Sequence, residues 1–342
     1  MPPIEARLLY LAFFPHTLPA PGKGHTLRGV QPPLTKQAPY FLDLDIEFAD
    51  LDQREIDVDG QSIRIRRQMI DEQIVVVECA YTLADLLSPA SNTHKQSLHV
   101  KLLNRIRAES GYTGAFLEEY TIVCIAGADF SPDDFVQANR LTLAALLRNL
   151  PGPLSEADAD HALSSRARYT ERDLAIVDWE GALLIDDEAD FQSDIELLKI
   201  GNYELLRYRL LDRAIERNLE TVRRELESKR RLSFFSNLVR TSLQQRLELL
   251  LDFDKTAQTL LLIGDWYTAQ LYRLIVDEFY IDEWKANVQS KLDHLESITD
   301  TIHANFTLSW DQTLDLVQLV GWLILLVGYF VLFYFDVIQA VK

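Results

Sequence analysis

Residues 316–335 read LVQLVGWLILLVGYFVLFYF, a run that carries no charge. At a rise of about 1.5 Å per residue, its roughly 20 residues span about 30 Å, the thickness of a bilayer's hydrocarbon core. The run reads as a single transmembrane helix. The chain ahead of it, to about Asn305, is polar enough for water. The expected arrangement is a soluble body hung from a membrane by its C-terminal end.

The flanks refine that picture. Ser309 and Gln312 fit a capping box, with Asp311 in the first turn, so a separate helix is expected to start before the bilayer. Trp310, Trp322, Tyr329 and Tyr334 are amphipathic aromatics, and those near the ends suit the headgroup level. Gly321 and Gly328 lie a heptad apart and offer a thin stripe for helix packing, although the GxxxG spacing is absent. Gln318 is the strongly polar side chain in the run, placed for a bond between protomers or for the interface. No Lys or Arg lies between Thr301 and Asp315, so charge does not orient the helix. The opening MPPIEARLLYLAFFP lacks a cleavage site and reads as a first strand, not an export signal. The body is therefore expected in the cytoplasm, with a single-pass tail anchor in the cell (inner) membrane.

Of the 342 residues, 48% are hydrophobic, enough for about two domains besides the anchor. Cys79 in VVVECA and Cys124 in TIVCIA sit in strand-like runs and read as buried thiols, not as a disulfide framework. A net charge of −18 argues against nucleic acid as a partner.

Three expected domains follow: an α+β head over 1–187, a helical coiled-coil hairpin over 190–306, and the transmembrane anchor over 309–336. In the head, Glu5–Phe14 reads as a strand and Pro15–Pro39 as a loop. Within that loop Gly22-Lys23-Gly24-His25-Thr26 falls short of a phosphate loop. Gln53–Val58 and Gln61–Met69 flank Asp59-Gly60, a hairpin signal. Gln73–Ala80 and Glu119–Ala126 read as strands and His94–Glu109 as a helix. Ser131-Pro132-Asp133-Asp134 starts a helix expected to reach Asn149, followed by a polar loop. Asp173–Asp178 and Ala182–Asp186 form a second hairpin around Trp179-Glu180-Gly181. The implied head is a mostly antiparallel sheet with helices on one face.

Two acidic groups, Asp43–Asp52 and Asp186–Asp194, lack the glycine and terminal glutamate of a calcium loop, and the seven histidines include no HExxH. No metal site, cofactor site or catalytic set is read.

From Phe191 the period becomes helical. Leu198, Gly201, Leu205, Tyr208, Asp212, Ile215, Leu219, Val222 and Leu226 alternate three and four apart, a coiled-coil seam. Asp212 in that seam either sets register through a partner or marks a frayed seam. The arginines of this helix, Arg207 and Arg209 among them, form a solvated face or meet acids elsewhere. A second helix is expected over Asn237–Tyr280. Its Asp265, among Leu262, Ile263 and Trp266, should meet Arg207 or Arg209; a catalytic Asp of raised pKa is the alternative. Asp282 caps a third helix, Glu283–Asn305, with a stripe of Trp284, Val288, Leu292, Leu295 and Ile298. The break at Tyr280–Asp282 is expected to make helices two and three an antiparallel hairpin.

The segments LLKIGNYELLRYRLLDRAIERNL (197–219) and LLIGDWYTAQLYRLIVDEFYIDEWKANVQSKLDHLESI (261–298) resemble the helical half of the required-for-meiotic-nuclear-division family of membrane proteins. The likeness covers about the last half of the chain. It implies an N-terminal α/β region, a long helical hairpin, one C-terminal membrane helix, and a non-catalytic oligomer. The mitochondrial members of that family are linked to organellar translation.

The function expected from these features is a membrane-anchored oligomeric scaffold or tether whose head binds an unidentified protein or small ligand. Its partners are the lipid bilayer and further copies of itself through the helical region. The alternative is a homo-oligomeric channel component of CorA-like layout, with a pore lined by Gln318. No enzyme is readable.

Overall fold

The run ARLLYLAFFP forms β1 (Ala6–Pro15), which pairs antiparallel with β5 (Ile74–Leu83) on one side and β6 (Glu118–Ala126) on the other. Flanked on both edges and covered on both faces, it is almost continuously apolar instead of alternating. The computed structural model describes residues 3–16, 27–28, 46, 48–127, 130–152, 154–227, 251 and 266–340; side chains are described for all of these except 27–28, 222, 225–227, 299–314 and 333–340.

The other strands are β2 (Leu27–Arg28), β3 (Phe48–Val58), β4 (Gln61–Ile70), β7 (Arg166–Ala167), β8 (Leu174–Val177) and β9 (Gly181–Asp186). The sheet order is β2-β3-β4-β5-β1-β6-β9-β8-β7. Every pairing is antiparallel except β6 with β9. A parallel pair needs a crossover. Here it carries α2 (Pro132–Ala138), α3 (Arg140–Leu147) and α4 (Glu156–Ala162), while α1 (Pro89–Ser110) joins β5 to β6.

Local chemistry explains several boundaries. Asp59 (φ 56°) and Gly60 (φ 79°) both take a left-handed conformation. A two-residue hairpin turn of type I′ requires it at both positions, and Asp57 accepts the Gly60 N–H at 3.0 Å. Ser131 caps α2 by accepting the Asp134 N–H. The single helix expected to Asn149 is broken at Asn139, whose side-chain amide donates to the Phe135 carbonyl at 2.8 Å. That bond competes with the backbone ladder. The expected polar loop holds α4, capped by Ser155.

Helices lie on both faces of the sheet, not one. On the first face Leu8, Tyr10, Val77 and Cys79 pack with Leu98 and Leu102 of α1 and Leu143 and Leu146 of α3. On the second face lies the early part of α5 (Gln192–Glu227), whose Lys199 reaches Gln68 and Glu78. Residues 193–208 are buried without a break.

After α5 the described helices are α6 (Trp266–Glu278) and α7 (Ile281–Ala340). The expected antiparallel hairpin at Tyr280 is not formed. Asp194 meets Tyr267 of α6, 73 residues on, and Asp212 meets Asn287 of α7, 75 residues on. A near-constant spacing means that α6 and then α7 follow α5 in the same sense; an antiparallel pair would show a constant sum of residue numbers. Tyr280 (φ 51°) interrupts the helix without reversing it, and hydrogen bonding resumes from the Trp284 N–H to the Tyr280 carbonyl. The expected helix start at Ser309 is likewise absent, because α7 already runs through it from Ile281. Most of the expected second helix, 237–265, lies outside the described residues apart from Leu251.

The chain divides into two compact units. The first, Met1–Arg213 with Asp252–Val288, holds the sheet and extends past the boundary expected near 187 to include the early turns of α5. In the second, Ala214–Leu251 with Gln289–Lys342, Ile215, Leu292 and Leu295 are buried, and Lys291 pairs with Glu216 at 2.9 Å.

Candidate functional site

Charged residues enter the buried part of α5 because each finds a partner, as an ion taken out of water must. Lys199 donates to Gln68 at 3.0 Å and also to Glu78. Burial pushes the Glu78 carboxyl up, but the Lys199 ammonium overcomes this and holds it below its usual value. Arg207 lies 3.9 Å from Asp71 and donates to the Tyr203 hydroxyl, which in turn donates to Asp71 at 2.5 Å. These contacts clamp the β4–β5 turn. There Asp71 (φ 49°) and Glu72 (φ 56°) take left-handed conformations without a glycine, an arrangement that costs L-residues energy and so needs holding. Arg209 pairs with Glu118 at the start of β6. Asp212 accepts from Asn287 at 2.9 Å. Asp265, proposed from sequence as the partner of Arg207 or Arg209, lies outside the described residues.

Between Lys199 and Arg207 on α5, Glu204 is buried and accepts the Tyr272 hydroxyl on one oxygen at 2.7 Å. Its other oxygen is buried without a hydrogen-bond partner among the described residues. Burial raises the Glu204 pKa to about 8.

Beneath α1, His99 lies against the Tyr10 ring at 4.4 Å and shares a 2.7 Å hydrogen bond with the Tyr81 hydroxyl. Burial, aided by the nearby Lys95, lowers the His99 pKa to about 3, so its ring is neutral at physiological pH. Lys95 is fully enclosed, donates to the Leu146 carbonyl near the end of α3, and is lowered to about 7 by burial. Asn92 and Gln96, on the same side of α1, donate to the Leu150 and Asn149 carbonyls. The row therefore latches α1 onto the chain end that follows α3. Cys79 and Cys124 are unpaired and buried, and burial raises each thiol to about 12, where it is no nucleophile.

Several acids of the two groups read from sequence serve the fold. Asp50 pairs with Arg66 and Asp52 with Arg67, while Asp186 accepts the N–H groups of Glu188 and Asp190. Among the described residues no His, Cys, Asp or Glu group is placed to hold a metal ion. The fragment 22–26 lies outside the described residues.

Two further features among the described residues are open to solvent. A cleft of about 370 Å³ on the second face of the sheet is lined by Arg7, Glu55, Ser62, Arg64, Ala80 and Thr82, with Gln61 and Tyr81 at its edge. Sequence reading gave Arg64 only as part of an alternating strand and Arg7 no role. The second feature is Asp315–Leu332 of α7, long and apolar enough to cross a membrane at a mean hydropathy of 2.0, and exposed at every residue. It contains Gln318, Gly321 and Gly328, and nothing lies within 4 Å of a β-carbon built on either glycine.

The resemblance to the required-for-meiotic-nuclear-division family is overturned by comparison with known proteins. The two segments carry leucines and aromatics at helical spacing, a pattern many long helices share. The family profile that matches is "Uncharacterized protein MJ0711, N-terminal domain", over residues 40–192. That stretch runs from before β3 to the first residue of α5 and precedes both segments on which the earlier likeness rested. No solved structure matches. The chain is also similar to "Uncharacterized protein MJ0711" of Methanocaldococcus jannaschii, 29% identical over 184 residues, which is 54% of this chain and 56% of that protein's length.

Proposed function

We propose that the protein is a membrane-anchored, oligomeric scaffold, with α7 entering the bilayer through Asp315–Leu332 and the sheet unit serving as a binding head without a reaction of its own. The observation that carries this reading is the exposure of that stretch: Trp322, Leu325 and Leu332 are 68%, 69% and 70% exposed. A large apolar side chain left in water forgoes about 1.5–3 kcal/mol each, so lipid is the favoured surrounding for a row of them. The span is also free of charge after Asp315, as a hydrocarbon core demands.

The head supports a binding role because its buried ions serve the fold. Lys199 with Glu78 and Arg207 with Asp71 are joined across elements, and both thiols are enclosed. Two unpaired cysteines suit a reducing compartment, which favours a cytoplasmic head. Gln318, Gly321 and Gly328 offer the anchor a surface for like helices. The test is the mass of the intact complex from full-length protein in mild detergent. A defined multimer supports the scaffold, and a monomer across the accessible concentration range contradicts it.

A further inference from the structure

The geometry points to the cleft on the second sheet face as a phosphate-binding site, a role independent of whether α7 enters a bilayer. Arg64 on β4 stands opposite Ala80 on β5, and Thr82, two residues further along β5, stands opposite Arg7 on β1. Registered partners share a face, and so do residues two apart in a strand. The four side chains therefore form one patch, with an arginine on each side of a strand that contributes only a methyl and a threonine. Strands β4 and β1 lie about 10 Å apart across β5, so two guanidinium groups lean over a floor made low by Ala80.

The arginines nearby are already engaged. Arg54 pairs with Glu109, Arg66 with Asp50 and Arg67 with Asp52. Arg7 and Arg64 make no hydrogen bond or ion pair among the described residues. Glu55, the cross-strand neighbour of Arg64, is occupied by the Ser62 hydroxyl instead. Two guanidinium forks match the charge of a phosphate monoester near neutral pH, and the Thr82 hydroxyl adds a donor for its oxygens. Glu55 on the far wall would repel a second anionic group and accept a hydroxyl, so the ligand is a phosphate carried on a hydroxylated body. A soluble phosphate ester and a lipid headgroup share that chemistry.

The test titrates inorganic phosphate into full-length protein in mild detergent, followed by calorimetry, with potassium chloride matched for ionic strength. Saturable binding is expected with a Kd near or below about 1 mM. It should weaken at least about tenfold in Arg7→Gln and in Arg64→Gln, while Arg64→Lys keeps part of it. Both arginines are exposed, so an unchanged melting temperature certifies the variants. The same titration in phosphatidylcholine nanodiscs, with and without phosphatidic acid, separates the sources. Loss of phosphate binding only in the acid-containing discs identifies a headgroup, and unchanged binding identifies a soluble ester. No saturable heat, or binding indifferent to both Gln variants, overturns the site.

Discussion

Gly201 of α5 and Ile275 of α6 approach so closely that a β-carbon on residue 201 would stand 2.2 Å from the Ile275 Cγ2. Ile275 is fully buried and branched at its β-carbon, so it has no free rotamer to turn aside. The position that looked like one step in a leucine seam is the place where two helices need an absent side chain.

Gly201→Ala is therefore expected to destabilise the protein. Overpacking a filled core costs about 1–3 kcal/mol, against about 1 kcal/mol gained from alanine's helix propensity. Chemical denaturation should show a net loss, and Ile275→Ala in the Gly201→Ala background should recover part of it. A neutral or stabilising Gly201→Ala would show that the helices do not touch here.

Glu204 should make stability fall with rising pH. Its folded pKa of about 8 exceeds its ordinary value of 4.5, so between these limits the folded state binds more protons than the unfolded one. Burial is the main cause; the Tyr272 hydroxyl, Lys285 and Arg207 oppose it, and Asp282 reinforces it. The loss from pH 4.5 to 8 is on the order of a few kcal/mol. Glu204→Gln should flatten that part of the stability profile whatever it does to the absolute value. An unchanged slope would contradict the enclosed carboxyl.

Lys95 acts in another window and with the opposite sign. Its pKa falls from 10.5 to about 7, so the unfolded chain binds the extra proton over that range and stability rises with pH. Lys95→Met should remove this slope and raise the melting temperature at pH 7, since burying the amine costs more than its bond to the Leu146 carbonyl returns. A lower melting temperature would mean that the latch between α1 and the end of α3 dominates.

The Lys199–Glu78 pair should behave as a buried ion pair. Lys199→Met alone leaves a carboxylate enclosed and should cost about 3–5 kcal/mol, whereas Lys199→Met with Glu78→Leu should regain much of that. Glu78 is held below 4.5 in the fold, so its contribution is present above pH 4.5 and lost as the pH falls further. Equal losses in the single and double variants would place the pair in water.

Much of the head was legible because its signals are local. Asp59-Gly60 dictates a turn, Ser131-Pro132 a helix start, and unbroken apolar runs the central strands. The second layer was not legible, because α5 hides its burial behind seven polar residues between Ser193 and Arg207. Arg207 read as part of a solvated face or as a partner of acids elsewhere, and Lys199 carried no reading, until Glu78 on β5 and Asp71 in the β4–β5 turn arrive from more than a hundred residues away. Glu78 amid valines was the signal that could have exposed this, since a lone acid in a buried strand needs a cation. The direction of α6 and α7 was hidden for a similar reason, as a short break at Tyr280 reads equally as a reversal or an interruption. The Arg7–Arg64 cleft depends on strand order, which no spacing in the sequence reveals.

The claim that α7 anchors the protein is tested most directly by alkaline carbonate extraction of membranes from cells making the full-length chain, beside a variant with Leu319, Leu325 and Leu332 all changed to Arg. The account predicts that the native chain stays in the pellet and that the triple variant moves to the supernatant with its head folded, as judged by an unchanged melting temperature. A native chain released by carbonate, or monodisperse in buffer without detergent, would contradict it.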